Sequence, residues 1–125
     1  MRAETRSDLQ ELRRVGELMT ERQLLDAVRQ ACRWGGLLTF HAYDSRRSEP
    51  GFPDLVIVGP TSLLFRELKG ERGRATAAQR RWLHQLTEAG ADADIWRPCD
   101  WPDRVLVELA GIGARGLCAS GAGAS

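Results

Sequence analysis

The chain has 125 residues, of which 42% are hydrophobic and 28% are charged, and its formal net charge is +1. This length and composition predict one globular domain with its own core and exclude a disordered chain, while the near-neutral charge does not by itself indicate a nucleic-acid partner. Three widely spaced cysteines without a CxxC pair, and the lack of any apolar run of membrane-spanning length, predict a reduced, cytoplasmic protein with no membrane association.

The N-terminal part of the chain contains two expected segments. Residues 1–18 carry apolar residues at helical spacing among many charges, which indicates an extension that is either an amphipathic helix or a loose arm. The domain proper is expected over residues 19–110. It begins with a helix, because Thr20 and Gln23 fit a capping box, an apolar stripe follows, and two glycines at 35–36 end the pattern.

Three strands are expected next. The segment LLTFHAY (37–43) predicts the first strand, and the loop DSRRSEPGFP follows it. The segment DLVIV (54–58) is apolar on both faces, as is typical of a central strand that is covered on both sides. A turn at 59–62 then leads to the third strand, which begins at Leu63.

The last third of the domain alternates helix and strand. A second capping box at 76–79 starts a helix that ends at Gly90 and is expected to bury Ala78, Trp82, Leu86 and Ala89. Residues 93–97 predict a fourth strand, and Asp100 is expected to cap a short closing helix. The Gly/Ala-rich segment 111–125 predicts a flexible tail. This order predicts an α/β domain with a mixed central sheet flanked by helices.

The third predicted strand ends in charged residues where a core strand would stay apolar. Because side chains alternate along a strand, Leu63, Phe65, Glu67 and Lys69 share one face. If the second and third strands form a hairpin, Asp54 lies beside Glu67 and Lys69. Two carboxylates and the Leu68 carbonyl would then offer the oxygen ligands that Mg²⁺ prefers. A surface ion pair and an ordinary Pro-Asp turn are also consistent with the same residues.

Charge distribution adds two observations. Lys69 is the single lysine among eighteen basic residues, and a lysine is a compact point charge that the planar guanidinium of arginine does not replace. Eight basic and four acidic residues lie between Arg46 and Arg81. Such an excess is expected around a bound polyanion, although solvated surface arginines are an open alternative.

Pro53-Asp54 followed by Glu67-Leu68-Lys69 on adjacent strands resembles the PD-(D/E)xK nuclease superfamily. A longer series of segments, which includes these motifs, is similar to one branch of this superfamily, the virus-type replication-repair nuclease (VRR-NUC) domains of phages and bacteria. The segments that carry this likeness are TERQLLDAV, GFPDLVIV, LLFRELKGERGRATAAQRRWL and GADADIWRPCDW. The resemblance implies a restriction-endonuclease-like αβββαβ core and Mg²⁺- or Mn²⁺-dependent hydrolysis of DNA, with no small-molecule cofactor. It also implies a role in replication, recombination or repair in a bacterial or phage-infected cell.

The resemblance further implies roles for individual residues. Asp54 and Glu67 match the metal-binding acids, with the Leu68 carbonyl as a further ligand, and Lys69 matches the catalytic lysine. Glu21 matches an acid that the first helix directs toward the metal, and its alternative is a first-turn acid favoured by the helix dipole.

Other matches lie outside the central motif. Gln79 matches a glutamine at the start of the next helix, and its alternative is the capping-box partner of Thr76. His41 is interpreted as structural. Apart from the family match, four arginines in the loops around the motif are candidates for binding DNA phosphates, and for each of them a solvated surface position is the alternative: Arg46, Arg47, Arg72 and Arg74.

The substrate and the assembly follow from the family alone. Stand-alone members resemble Holliday-junction resolvases, so branched DNA is expected. Cutting both strands of a symmetric junction favours a two-fold homodimer. A sequence-specific restriction-like endonuclease and a non-catalytic nucleic-acid-binding module on the same fold are the alternatives.

Overall fold

The computed structural model describes residues 19–42 and 49–116. Its elements are α1 (Glu21–Trp34), β1 (Leu38–His41), β2 (Leu55–Val58), β3 (Leu63–Leu68), α2 (Ala77–Glu88), β4 (Asp92–Trp96) and α3 (Asp103–Gly111), with a 3₁₀ turn at Pro98–Asp100. This order confirms the predicted mixed α/β fold. The predicted N-terminal helix lies outside the described residues. Among those residues, no helix has the length and apolar character needed to cross a membrane.

The four strands form one mixed sheet in the order β1-β2-β3-β4. The β1–β2 and β2–β3 pairs are antiparallel, whereas β3 and β4 run parallel. Leu55 pairs with Arg66 in the predicted β2–β3 hairpin. Continuing this register by one residue brings Asp54, which precedes β2, opposite Glu67.

Helices α1 and α3 pack together over one face of the sheet. The Thr20 hydroxyl accepts from the Gln23 amide at 3.1 Å and the Gln23 side chain accepts from the Thr20 amide at 2.9 Å, so α1 begins with the expected capping box. The core between the helices and the sheet contains Leu24, Val28, Leu55, Ile57, Leu64, Leu68, Val105 and Leu109, all at most 2% exposed. Burial of each such side chain contributes roughly 1.5–3 kcal/mol, which holds the sheet against these helices.

The opposite face of the sheet is only partly covered. The expectation that α2 buries four residues is wrong, because the helix has no buried residue and Ala89 is exposed. Helix α2 packs against the β4 side, so the side chains of Leu38 and Phe40 on β1 remain 74% and 63% exposed. Val58 is exposed as well, and β2 is therefore not covered on both sides as predicted.

The C-terminal end also differs from expectation. Asp100 does not cap α3, because its carboxylate accepts from the Arg97 amide at 2.7 Å within the 3₁₀ turn. Helix α3 begins two residues after Trp101, following Pro102, whose lack of an N–H is tolerated at a helix start. Ile112 is buried, so packed structure continues beyond residue 110 into the segment expected to be a tail. Residues 117–125 lie outside the described part.

A charge network around the buried Arg66 joins β3, β4 and α3. Arg66 is 2% exposed, and its guanidinium donates to Asp92 and to Glu108, each at 2.8 Å. Glu108 also accepts from the Trp96 indole at 2.8 Å and from Arg104 at 2.7 Å. These contacts stabilise the charges in the core, since buried ions need partners.

Candidate active site

The two predicted metal-binding acids meet at one end of the β2–β3 hairpin. Asp54 Oδ2 accepts a hydrogen bond from the Leu68 amide at 2.9 Å, so the peptide of Leu68 lies against the Asp54 carboxylate. Glu67 comes directly before Leu68 and is only 2% exposed. The structure thus brings together Asp54, Glu67 and the backbone of Leu68.

The Glu67 carboxylate lacks compensation for its burial. Its Oε2 accepts from the side-chain Nε2 of Gln79 at 2.9 Å and lies 3.5 Å from the Lys69 ammonium. Its Oε1 is buried and accepts no hydrogen bond from the described part of the chain. Burial and then the nearby Asp54 charge raise the pKa of Glu67 to about 8, and Lys69 only partly opposes them. This end of the hairpin therefore favours an added positive charge.

Lys69 lies where β3 leaves the sheet. Its amide donates to the Trp96 carbonyl at 3.1 Å, which extends the parallel ladder by one residue. Its side chain is 14% exposed. The ammonium is therefore held beside Glu67 by a side chain that is mostly buried.

Gln79 combines its two expected interpretations. Its Oε1 accepts from the Thr76 amide at 2.8 Å, and its own amide donates to the Thr76 hydroxyl at 3.1 Å. The side-chain nitrogen of the same residue donates to Glu67. One side chain thus caps α2 and fixes the orientation of a buried carboxylate.

A cavity of about 410 Å³ opens beside Asp54 and Leu68. It is lined by Thr20, Glu21, Arg22, Leu25, His41, Asp54 and Leu68. Glu21 is exposed at the start of α1, and it shares this cavity with Asp54. His41 also faces it, and its pKa is lowered chiefly by burial while the Asp54 charge opposes that shift. The residue interpreted as structural is therefore a wall of the cavity.

Two of the four predicted phosphate-binding arginines lie within the described residues. Arg72 and Arg74 are exposed between Lys69 and α2, whereas Arg46 and Arg47 lie outside the described residues. Sequence reasoning missed Arg97, which holds the segment after Lys69 through backbone carbonyls. The signal that could have found it is its place directly after β4, beside Lys69, but this appears only once the parallel β3–β4 pairing is known.

The donor set fits a divalent cation of the Mg²⁺ type. Within residues 19–42 and 49–116 no cluster of three or more His, Cys, Asp or Glu side chains could hold a metal. Two carboxylates and a backbone carbonyl are nevertheless sufficient for an ion that keeps several waters. The buried, unsatisfied Glu67 Oε1 and the repulsion from Asp54 are the features that such an ion would relieve.

Comparisons with solved structures show which proteins share this fold. Two solved structures share the fold, titled "VRR_NUC domain protein" and "VRR_NUC domain". The first is 22% identical with a TM-score of 0.53, covering 77% of this chain and 92% of that chain. The second is 23% identical with a TM-score of 0.59, covering 71% of this chain and 96% of that chain.

The family follows from the sequence match. The VRR-NUC domain model matches residues 2–97, and the chain therefore belongs to the VRR-NUC domain family. This is a nuclease-type family, which implies DNA as the substrate, and nucleases of this kind generally use divalent metals. No curated protein matches the chain. The matched range includes most of residues 1–18, whose separation from the domain stays a prediction.

Proposed function

We propose that the protein is a Mg²⁺- or Mn²⁺-dependent endonuclease that hydrolyses phosphodiester bonds in branched DNA. The observation that carries this proposal is the state of Glu67, which is buried beside Asp54 with a raised pKa and an unsatisfied oxygen. A buried carboxylate beside a second, partly buried one is costly unless a cation compensates the two charges. Lys69, 3.5 Å away, supplies one charge, but Oε1 has no hydrogen-bond partner among residues 19–42 and 49–116.

Different residues of the site are proposed to have different roles in hydrolysis. Asp54, Glu67 and the Leu68 carbonyl would hold the divalent ion, which when bound polarises the phosphate and lowers the pKa of a bound water. The Lys69 ammonium stabilises the negative charge that develops on the phosphate and orients the attacking water. Gln79 keeps the Glu67 carboxylate in its binding orientation.

DNA binding is assigned to the basic side chains around this site. Arg72 and Arg74 are exposed a few residues from Lys69 and are proposed to contact phosphates, together with Arg46 and Arg47. Phosphate contacts of this kind release counterions, so binding weakens as salt rises. Glu21 is proposed to act at the carboxylate cavity, which it shares with Asp54.

The preference for branched DNA and the assembly are the finer parts of the proposal. A four-way junction presents two equivalent strands, and a two-fold homodimer would present two equivalent sites. The nuclease is proposed to act in replication, recombination or repair in the cytoplasm of a bacterial or phage-infected cell. The family supports the class of reaction. The junction preference rests on the resemblance of stand-alone family members to Holliday-junction resolvases, and the homodimer rests on the symmetry argument.

The test is cleavage of a labelled four-way junction by the purified protein with Mg²⁺, with a linear duplex of the same sequence as the substrate control. Asp54→Asn is expected to abolish cutting and keep junction binding. Lys69→Arg keeps the charge and the fold, but the larger planar guanidinium does not reproduce the ammonium, so cutting is expected to fall at least about 100-fold.

The control for the lysine test is Arg33→Lys, the reverse exchange at an exposed position in the last turn of α1. This variant is expected to cut at the parental rate. If Lys69→Arg also cuts at that rate, the catalytic assignment of Lys69 is wrong. Junction binding without cutting, with Mg²⁺ and Mn²⁺ and on all substrates, would instead establish a non-catalytic binding module.

A further inference from the structure

The chain turns sharply directly after Lys69, and one arginine holds this turn. Arg97 Nη1 donates to the Gly70 carbonyl at 2.8 Å and to the Gly73 carbonyl at 2.6 Å, with a longer contact of 3.4 Å to the Glu71 carbonyl. The Gly73 amide donates to the Gly70 carbonyl at 3.2 Å and closes the turn. The segment 70–73 is named the clamped turn below.

The clamped turn has few other sources of rigidity. It belongs to no helix or strand, and its two glycines have the largest conformational freedom of any residue type. The Glu71 carboxylate accepts from the Cys99 amide at 3.1 Å, which adds one more link to the segment after β4. Hydrogen bonds from a charged guanidinium are stronger than neutral ones, so Arg97 is the main constraint on this backbone.

The clamped turn lies against the side chain of Lys69. A Cβ built on Gly73 would lie 3.5 Å from Lys69 Cδ, so the backbone of Gly73 runs beside the lysine stem. The ammonium at the end of this stem is the group 3.5 Å from Glu67. The clamped turn also carries Arg72 and leads to Arg74. A change in its position therefore moves both the lysine and the proposed phosphate-binding arginines.

We infer that Arg97 is a positioning residue, which holds the clamped turn so that Lys69 and Arg72 face the same phosphate backbone. This inference rests on the proposed nuclease function. Two other roles make different predictions. A direct contact of Arg97 with DNA would act independently of Arg72 and Arg74, and a purely structural role would lower stability without a specific effect on the chemical step.

The first experiment compares single-turnover cleavage of the four-way junction by Arg97→Met and Arg104→Met. Arg104 is a matched control because, like Arg97, it donates to a backbone carbonyl, that of Ile95 at 3.3 Å, but none of its partners among the described residues lies in the clamped turn. Its other partners are the carboxylates of Asp94, Asp100 and Glu108. Misplacement of a catalytic group lowers the rate about 10- to 100-fold. Arg97→Met is expected to show such a loss at saturating enzyme, while Arg104→Met cuts within about twofold of the parent.

The second experiment is a double-mutant cycle on junction binding, measured in EDTA so that a metal-dependent enzyme does not cut. Arg97→Met is expected to weaken binding in the parent. In the Arg72→Ala/Arg74→Ala background the same change is expected to weaken binding much less, because the arginines on and directly after the clamped turn are then gone and only the position of Lys69 is still affected. Unfolding curves of all variants provide the control for stability.

The outcomes separate this inference from the function on which it rests. If the parent cuts DNA and Arg97→Met cuts equally well, the positioning role is wrong and the nuclease stands. If the binding losses of the cycle are additive, Arg97 contacts DNA directly and the inference is likewise overturned. If the parent cuts no DNA with any metal, the proposed function fails, and the cycle still decides whether Arg97 acts through the clamped turn.

Discussion

Binding of a divalent ion is expected to expel a proton from Glu67 at neutral pH. The pKa of this carboxyl is raised from 4.5 to about 8, first by burial and then by the Asp54 charge, with Lys69 opposing both. Below about pH 8 the metal-free protein therefore keeps a proton on Glu67. Since a carboxylate must be deprotonated to bind a metal, this proton leaves when the ion arrives.

The size of the effect follows from the pKa. At pH 7, one unit below about 8, roughly nine in ten Glu67 side chains are protonated, whereas at pH 9 about one in ten is. Metal binding should thus release about 0.9 proton per ion at pH 7 and about 0.1 at pH 9. The apparent affinity for the ion should fall up to about tenfold for each pH unit below 8.

Isothermal titration calorimetry with Mg²⁺ or Mn²⁺, in buffers that differ in ionisation enthalpy, measures this proton release directly. Asp54→Asn removes the neighbouring charge and one proposed ligand, so it should lower the pKa of Glu67 and weaken binding of the ion. Asp103→Asn changes an exposed acid in the first turn of α3 and should leave the release unchanged. Metal binding at pH 7 with no proton released would refute the reasoning about Glu67.

Three further predictions concern stability and the role of individual contacts. In metal-free buffer the free energy of unfolding in urea should fall as pH rises from about 5 to about 8, by at most ~1.4 kcal/mol per pH unit. The reason is that the folded state keeps a proton on Glu67 that the unfolded chain has lost. A free energy of unfolding that does not change over this pH range would contradict this. Gln79→Glu can still close the capping box but places a carboxylate against Glu67. Circular dichroism should therefore show unchanged helix content while the rate of junction cleavage drops. Cleavage at the parental rate would mean that the Gln79 side chain matters only as a helix cap. Glu108→Gln leaves the buried Arg66 guanidinium without one of its counter-charges and should lower the free energy of unfolding by about 2–4 kcal/mol; a loss below about 0.5 kcal/mol would show that this charge is dispensable.

Local signals were sufficient to predict the order of the elements. The capping boxes at Thr20 and Thr76 and the glycines after α1 act within a few residues, so they can be read from the sequence alone. The burial of α2 could not be predicted, because half-polar helices look alike whether they cover a whole sheet face or its edge. The prediction that Asp100 caps the last helix was wrong for a related reason, because its carboxylate accepts instead from the backbone amide of Arg97.

The site shows the same division between local and long-range information. The approach of Asp54 to Glu67 could be predicted because a short turn fixes the register of a hairpin. The link from Gln79 to Glu67 depends on where α2 lies, and the contacts of Arg97 depend on a turn 24 or more residues earlier in the chain. No spacing rule covers contacts of that kind, so they emerged only from the fold.

The central claim is that Asp54 and Glu67 hold one divalent ion between neighbouring strands. An anomalous difference map from a crystal soaked in Mn²⁺ tests this claim most directly. The account predicts a single strong peak with the carboxylate oxygens of both residues and the Leu68 carbonyl about 2 Å away. A fully occupied ion bound elsewhere, with both carboxylates left without metal, would contradict it.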